Sequence, residues 1–377
     1  MDSITIDELL DRADVVAMRA AEAGPDAERS GRLATDVVGV IRSSGLSGMA
    51  LPVALGGFAS PPVATTEVLE RIASSDAASA WIVLIASTTS LNAAFLPPTG
   101  ARQIFARGRE GLNVGVFAPR GIGVPIEGAH RVSGWWPFCS GCLHADWVGV
   151  GFRVEGSDEI RMGFVPAPDV EIIDSWNVLG LNATGSHDIR LEGVIIPDDH
   201  SWSVTSPECR TDEPLFHFPI YGMLAMGVSA VMLGIAGGAI DDVMALATDK
   251  VPTGSRRTLA ERPSVQDAVA RSTAQLEAAR TYLHFESDRG WERARHGEID
   301  PMTRTRLRMA ATHAADASTE VVERMFRVAG GTAIYRTSRL EQRLRDINTA
   351  AQHMMVAQPT WEMAGRALLG LGEHDQL

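Results

Sequence analysis

The residues best suited to chemistry in this chain of 377 gather around Gly134-Trp135-Trp136-Pro137-Phe138-Cys139-Ser140-Gly141-Cys142, which runs on to Trp147. Three of the eight tryptophans fall in this stretch, beside a Ser-Gly corner. That is more aromatic surface than a polar loop carries, so something flat is expected to lie against it, with Trp136 as the tryptophan nearest the ligand. A second candidate is the connection from Asp174 to Asp188, polar and punctuated by glycine, whose hydroxyls and amides are available to a ligand. The loop from Lys250 to Arg257 ends in two cations that suit a phosphate, the alternative being ordinary solvated arginines. Cys139 and Cys142 form a C-x-x-C pair with no second pair to complete a zinc set, so they are read as small core-lining thiols and no metal is expected.

These residues need a scaffold, and the hydrophobic period indicates three blocks. From Ile6 to about Arg109 the apolar spacing is helical, with Asp2 or Ser3 capping the first helix, a second helix near 27–44, and further helices over 63–74 and 77–96. Between about Leu112 and Val204 the period falls towards two. Strands are expected at 113–117, 130–134, 147–154, 160–166, 170–173 and 189–196, forming a small antiparallel sheet or barrel. After Pro214 long helical spans return, at 220–247, 263–297, 303–330 and 347–371, the last interrupted at Pro359. Short connections between long helices indicate an antiparallel bundle of four. The blocks are therefore 1–111, 112–213 and 214–377, an α+β fold. Glycines and alanines along 222–238 would let a backbone or a cofactor approach the first bundle helix closely.

Composition narrows the function. The net charge is −13 and no Lys/Arg-rich run occurs, which argues against nucleic-acid binding. No segment reads as a membrane span, and the acidic, amphipathic start MDSITIDELLDRAD is unlike a secretory or transit signal, so a cytoplasmic protein is expected.

The order helical domain, β domain, four-helix bundle resembles the acyl-CoA dehydrogenase fold over nearly the whole chain. Ala329-Gly330-Gly331-Thr332 followed by Leu340-Glu341-Gln342-Arg343-Leu344-Arg345-Asp346 is similar to that superfamily's Gly-Gly turn and its arginine-rich run ending in Arg-Asp, although here the second arginine follows two residues after the first. Gly180-Leu181 to Val194-Ile195-Ile196-Pro197 resembles the segment leaving its β domain.

The sequence departs from the dehydrogenases where their chemistry resides. Those enzymes remove an α-proton with a glutamate a short way past the Arg-Asp pair; Met354 stands there, between His353 and Met355. Some carry the glutamate on the first bundle helix, yet 220–238 holds no acid at all. Without a titratable acceptor in reach, general-base catalysis fails.

The departures resemble the flavin-dependent monooxygenases of the same fold, the oxygenase halves of two-component systems. The matching features are Trp136 to Cys142, Gly180 to Ser186, and Arg345-Asp346 followed by His353. The resemblance implies a reduced flavin, FMN or FAD, lying against Trp136, Phe138, Ser140 and Gly141, with Thr184, Gly185 and Ser186 as further contacts and Arg257 on a phosphate. Ser140 would hydrogen-bond near the flavin N5, and His353 would reach the cavity from the last helix to deprotonate a phenol-like substrate or assist oxygen activation. The peroxide adduct of flavin and O2 survives only where water is kept out and N5 is held, which aromatic walls and one hydroxyl supply.

The expected function is hydroxylation of an aromatic, heteroaromatic or other small molecule with O2. The chain shows no G-x-G-x-x-G fingerprint, so reduced flavin is expected from a separate NAD(P)H:flavin reductase. A homotetramer or homodimer is implied by the resemblance. The alternatives are an acyl-CoA dehydrogenase or oxidase with a relocated base, and a flavin-free binding member of the fold.

Overall fold

The structure is a computed structural model, and it describes residues 4–372. The expected caps Asp2 and Ser3 lie outside the described residues. Thr5 caps the first helix: its hydroxyl accepts from Glu8 N while the Glu8 carboxylate accepts from Thr5 N, a reciprocal capping box.

Contacts divide the chain into two compact units rather than three consecutive blocks. One comprises Met1–Ser60, Trp81–Val178 and Asn182–Phe216; the other comprises Pro61–Ala80, Leu179–Leu181 and His217–Leu377.

In the first unit, helix α1 (Ile6–Ser30) runs through Pro25 and stops at Gly31, whose left-handed φ of 67° only glycine adopts cheaply. The second expected helix therefore begins later, as α2 (Thr35–Ser44). Helix α3 (Pro62–Ser75) belongs to the second unit; after it comes α4 (Ala77–Ser90), which Asp76 opens by accepting from Ser79 N and whose residues from Trp81 onward belong to the first unit. Helix α4 turns into a 3-10 segment over Leu91–Ala94, and a short helix α5 (Pro98–Ile104) follows.

The β region is one sheet of seven strands: β1 (Asn113–Ile126), β2 (Ala129–Trp136), β3 (Trp147–Val154), β4 (Ile160–Pro166), β5 (Glu171–Ile173), β6 (Asp188–Pro197) and β7 (Ser201–Ser203), in the order β5-β6-β2-β1-β3-β4-β7. The expected purely antiparallel sheet is corrected by one pairing, since β1 and β3 are parallel. Strand β1 also runs well past Phe117. It crosses Pro119 with register shifts on either side, so the ladder gives way locally where proline has no N–H to donate.

The core of this sheet explains its tryptophan. Trp136 is fully buried, and its indole N–H donates to Gly151 O at 2.8 Å. A Cβ on Gly121 or Gly134 would overlap its ring, so these two glycines form the bay that holds it. Full burial of such a side chain stabilises the fold by roughly 2–3 kcal/mol.

The second unit holds α3 and a bundle of α6 (Ile220–Asp249), α7 (Pro263–Arg295), α8 (Pro301–Ala329), α9 (Arg339–Ala350) and α10 (Pro359–Leu368). The fourth expected span is thus two helices. Helix α9 begins earlier, taking in the whole arginine-rich run, and the chain leaves it before Pro359.

The small residues of α6 serve protein neighbours. A Cβ on Gly234 would overlap the carbonyl of Glu70 in α3, and one on Gly238 would overlap the guanidinium of Arg343 in α9. Arg343 is thereby free to pair with Asp242 at 2.6 Å and to donate to Ser74 O at 2.8 Å. Two helices, Ala77–Ala94 and Ile220–Asp249, are after all long and apolar enough to cross a membrane, but 94% and 89% of their most apolar windows are buried inside the protein. Such helices are apolar all round because they are core helices.

Candidate active site

Pairing of β2 with β6 sets the site in the first unit. Trp136 stands opposite Ile189, so the chain leaving β2 and the chain entering β6 run side by side. Two backbone hydrogen bonds hold them together: Cys139 N donates to His187 O and Gly141 N to Thr184 O, each at 3.0 Å. Gly141 and Gly185 adopt φ of 77° and 51°, which lets both segments turn at this point.

The turn brings three hydroxyls into one buried chain. Ser140 Oγ lies 2.7 Å from Ser186 Oγ, which lies 2.7 Å from Thr184 Oγ1. Trp81, on α4, donates its indole N–H to Ser140 Oγ at 3.1 Å. All four residues are buried. Sequence reasoning found Ser140, Thr184 and Ser186 but missed Trp81. The available signal was an indole on a nearly all-apolar helix, because a buried indole N–H needs an acceptor.

Phe138 stands beside this chain and is 68% exposed, with φ of 65°. A left-handed aromatic residue costs about 1–2 kcal/mol. Its ring meets that of Trp176 edge-on, with centroids 6.2 Å apart. Trp176 is held there by His187, whose Nδ1 accepts from Ser175 N and Trp176 N at 3.2 Å each. The expectation that Trp136 faces the ligand is corrected: with no accessible surface it has no face to offer, whereas Phe138 and Trp135 are exposed, Phe138 the more so.

Cys139 and Cys142 are buried thiols flanking Ser140. The hydrogen bond to Cys142, together with burial, pushes Cys139 well up, so it stays protonated. Nearby His144 is pushed down to about 4 by burial and by the guanidinium groups of Arg32 and Arg42.

In the second unit, the run ending in Arg345-Asp346 is structural. Asp346 accepts Leu181 N at 2.6 Å, Arg345 donates to Leu179 O at 3.0 Å, and a Cβ on Gly180 would overlap the Arg345 carbonyl. His353 sits in the turn between α9 and α10 rather than on the last helix. Its Nδ1 accepts from Met355 N at 3.3 Å, which leaves the proton on Nε2. Burial and the Arg308 guanidinium push it down to about 4, so the imidazole is neutral at physiological pH. The expected role of His353, deprotonating a phenol-like substrate or assisting oxygen activation, does not fall to Nδ1, which the Met355 N–H occupies. Arg257 is exposed in the loop between α6 and α7.

Comparisons with known proteins agree with this architecture. The family described as Acyl-CoA dehydrogenase, C-terminal domain, matches residues 226–358. Indole-3-acetate monooxygenase from Pseudomonas putida is 29% identical over 91% of this chain and 89% of its own length. The flavin-dependent monooxygenase oxygenase subunit HsaA from Rhodococcus jostii is 24% identical over 91% of this chain and 93% of its own. Among solved structures, 3-HSA hydroxylase from Rhodococcus superposes with a TM-score of 0.90 at 23% identity, covering 98% of both chains. XiaF from Streptomyces, solved with FADH2 and glycerol, also gives 0.90, at 23% identity and coverage of 97% and 96%.

Fold and matched residues define a protein of acyl-CoA dehydrogenase fold. The relatives it resembles over most of their length are named as monooxygenases, HsaA among them as flavin-dependent.

Proposed function

We propose that the chain is an oxygenase component that binds reduced flavin, FMN or FAD, against Phe138 and the Ser140-Gly141 corner and hydroxylates an aromatic or heteroaromatic small molecule with O2. The observation that carries this reading is the buried Trp81-Ser140-Ser186-Thr184 chain beside the exposed ring of Phe138. A planar, amphipathic ring system fits that donor set: the aromatic residue takes its face, and the hydroxyl corner takes its polar edge. Reduced flavin, when bound, supplies the electrons that activate O2.

The protein's own residues orient and exclude water. Phe138 and Trp176 present an apolar wall, Ser140 holds a polar ring atom, and Thr184, Gly185 and Ser186 support that serine and line the ring edge. His353 serves as a neutral Nε2–H donor. Arg257 meets a flavin phosphate, in a neighbouring subunit of a homodimer or homotetramer. Exposed apolar side chains in the second unit, including Ile334, Tyr335, Leu368 and Leu369, support self-association. A separate NAD(P)H:flavin reductase in the cytoplasm supplies the reduced flavin.

The test is product analysis with chemically reduced flavin, O2 and indole-3-acetate as first probe, followed by other aryl and heteroaryl compounds. Hydroxylated product supports the reading. Oxidation of an acyl-CoA thioester, with no aromatic product, overturns it.

A further inference from the structure

Trp81 touches the hydroxyl chain at the atom proposed to meet the flavin, and its chemistry is one-directional. An indole nitrogen donates and cannot accept, so the 3.1 Å contact spends one lone pair of Ser140 Oγ. The 2.7 Å contact to Ser186 spends either the second lone pair or the hydroxyl hydrogen. In each case Ser140 keeps a single outward function.

Two arrangements satisfy the three hydroxyls. If Thr184 donates to Ser186 and Ser186 to Ser140, both lone pairs of Ser140 are used and its hydrogen points outward. If Ser140 donates to Ser186 and Ser186 to Thr184, one lone pair of Ser140 points outward. Interchange at the Ser140–Ser186 contact rotates hydroxyl hydrogens, since either oxygen can be the donor there.

We propose that Trp81 is a positioning residue that acts through Ser140, and that the Ser140-Ser186-Thr184 chain reverses so that Ser140 donates to an unprotonated ring nitrogen and accepts from a protonated one. This rests on the flavin reading above. The flavin N5 accepts a hydrogen bond when oxidised and donates one when reduced, so the reversal lets one serine hold both forms. Trp81 and Ser186 bias the two senses oppositely. Donation from Trp81 polarises the Ser140 hydroxyl and strengthens it as a donor. Ser186 receives the Ser140 hydrogen when Ser140 acts as acceptor and only fills a second lone pair when Ser140 donates, so losing Ser186 strands a hydrogen in the first sense and a lone pair, which costs less, in the second.

The test is the dissociation constant for oxidised and for chemically reduced flavin, the latter measured anaerobically, in the full chain. Trp81→Phe is expected to weaken oxidised flavin more than reduced, and Ser186→Ala to weaken reduced flavin more than oxidised. Each ratio should move by about three- to tenfold, the range expected for one hydrogen bond. A merely structural role would move both variants the same way. In a Ser140→Ala background both shifts should vanish, because each substitution acts through that hydroxyl. Shifts of equal sign, or shifts that persist without Ser140, overturn the proposal. Should Trp81→Phe fail to fold, Ser186→Ala still decides, since an unchanged ratio there contradicts the reversal. Wild-type protein that binds neither form would instead overturn the flavin reading itself.

Discussion

Asp346 Oδ1 accepts the backbone N–H of Leu181 at 2.6 Å, joining two motifs separated by 165 positions in the chain. Leu181 has φ of 56°, and the carboxylate holds that turn in a conformation leucine otherwise avoids. Asp346→Ala leaves a buried N–H without its acceptor and should cost about 1–3 kcal/mol of stability. Asp346→Asn keeps an acceptor and should cost less. Denaturant unfolding of the two variants checks this; equal losses would mean the charge, rather than the bond, matters.

The glycines of α6 make a paired prediction. Gly238→Ala pushes into Arg343 and disturbs its contacts with Asp242 and Ser74, so it should destabilise by roughly 1–3 kcal/mol. Gly237→Ala, whose new methyl would meet only Leu276 at 3.9 Å, should be neutral or stabilising by up to about 1 kcal/mol. Thermal unfolding of both separates a packing requirement at one position from simple helix propensity.

Acid should unfold the protein earlier than its carboxylates alone require. His144 and His353 titrate at about 4 when folded, against an ordinary value of 6.5. The unfolded chain therefore binds more protons between those values. Their contribution is fully present above pH 6.5 and is lost as the pH falls towards 4, on the order of 1–3 kcal/mol for each residue. Replacing either histidine with glutamine should flatten the stability profile in that window, measured by denaturant unfolding at successive pH values.

Phe138 should separate stability from binding. Phe138→Gly removes the left-handed strain of about 1–2 kcal/mol while giving up little buried surface. Stability should hold or rise by about 1 kcal/mol after the entropy cost of glycine. Flavin affinity should fall by about tenfold or more, the loss expected of an aromatic contact. Calorimetry and a flavin titration on the same preparation test the opposition.

Much of this architecture was legible in the periods of apolar residues. The change from 3.6 to 2 near Leu112, and back after Pro214, marks the sheet region between two helical ones. The hydroxyls of Ser140, Thr184 and Ser186 were legible as types, and β2–β6 pairing explains why they meet. Trp81 was not, because its partner lies 59 positions away and only tertiary packing joins them. Trp136 was misread for a physical reason: a cluster of aromatic residues does not say which ring faces inward. Gly121 and Gly134 held the clue, since paired glycines leave room for a large ring. The neutral state of His353 depends on burial and on Arg308, neither of which spacing reveals.

The most direct test of the central claim is anaerobic loading of the full chain with chemically reduced FMN or FAD, followed by mixing with oxygenated buffer and spectroscopic recording of flavin reoxidation. The account predicts that the protein binds the reduced form and delays its return to the oxidised form relative to free flavin, with Ser140→Ala shortening that delay. Reoxidation at the free rate, together with bleaching of bound oxidised flavin by an acyl-CoA thioester, would contradict it.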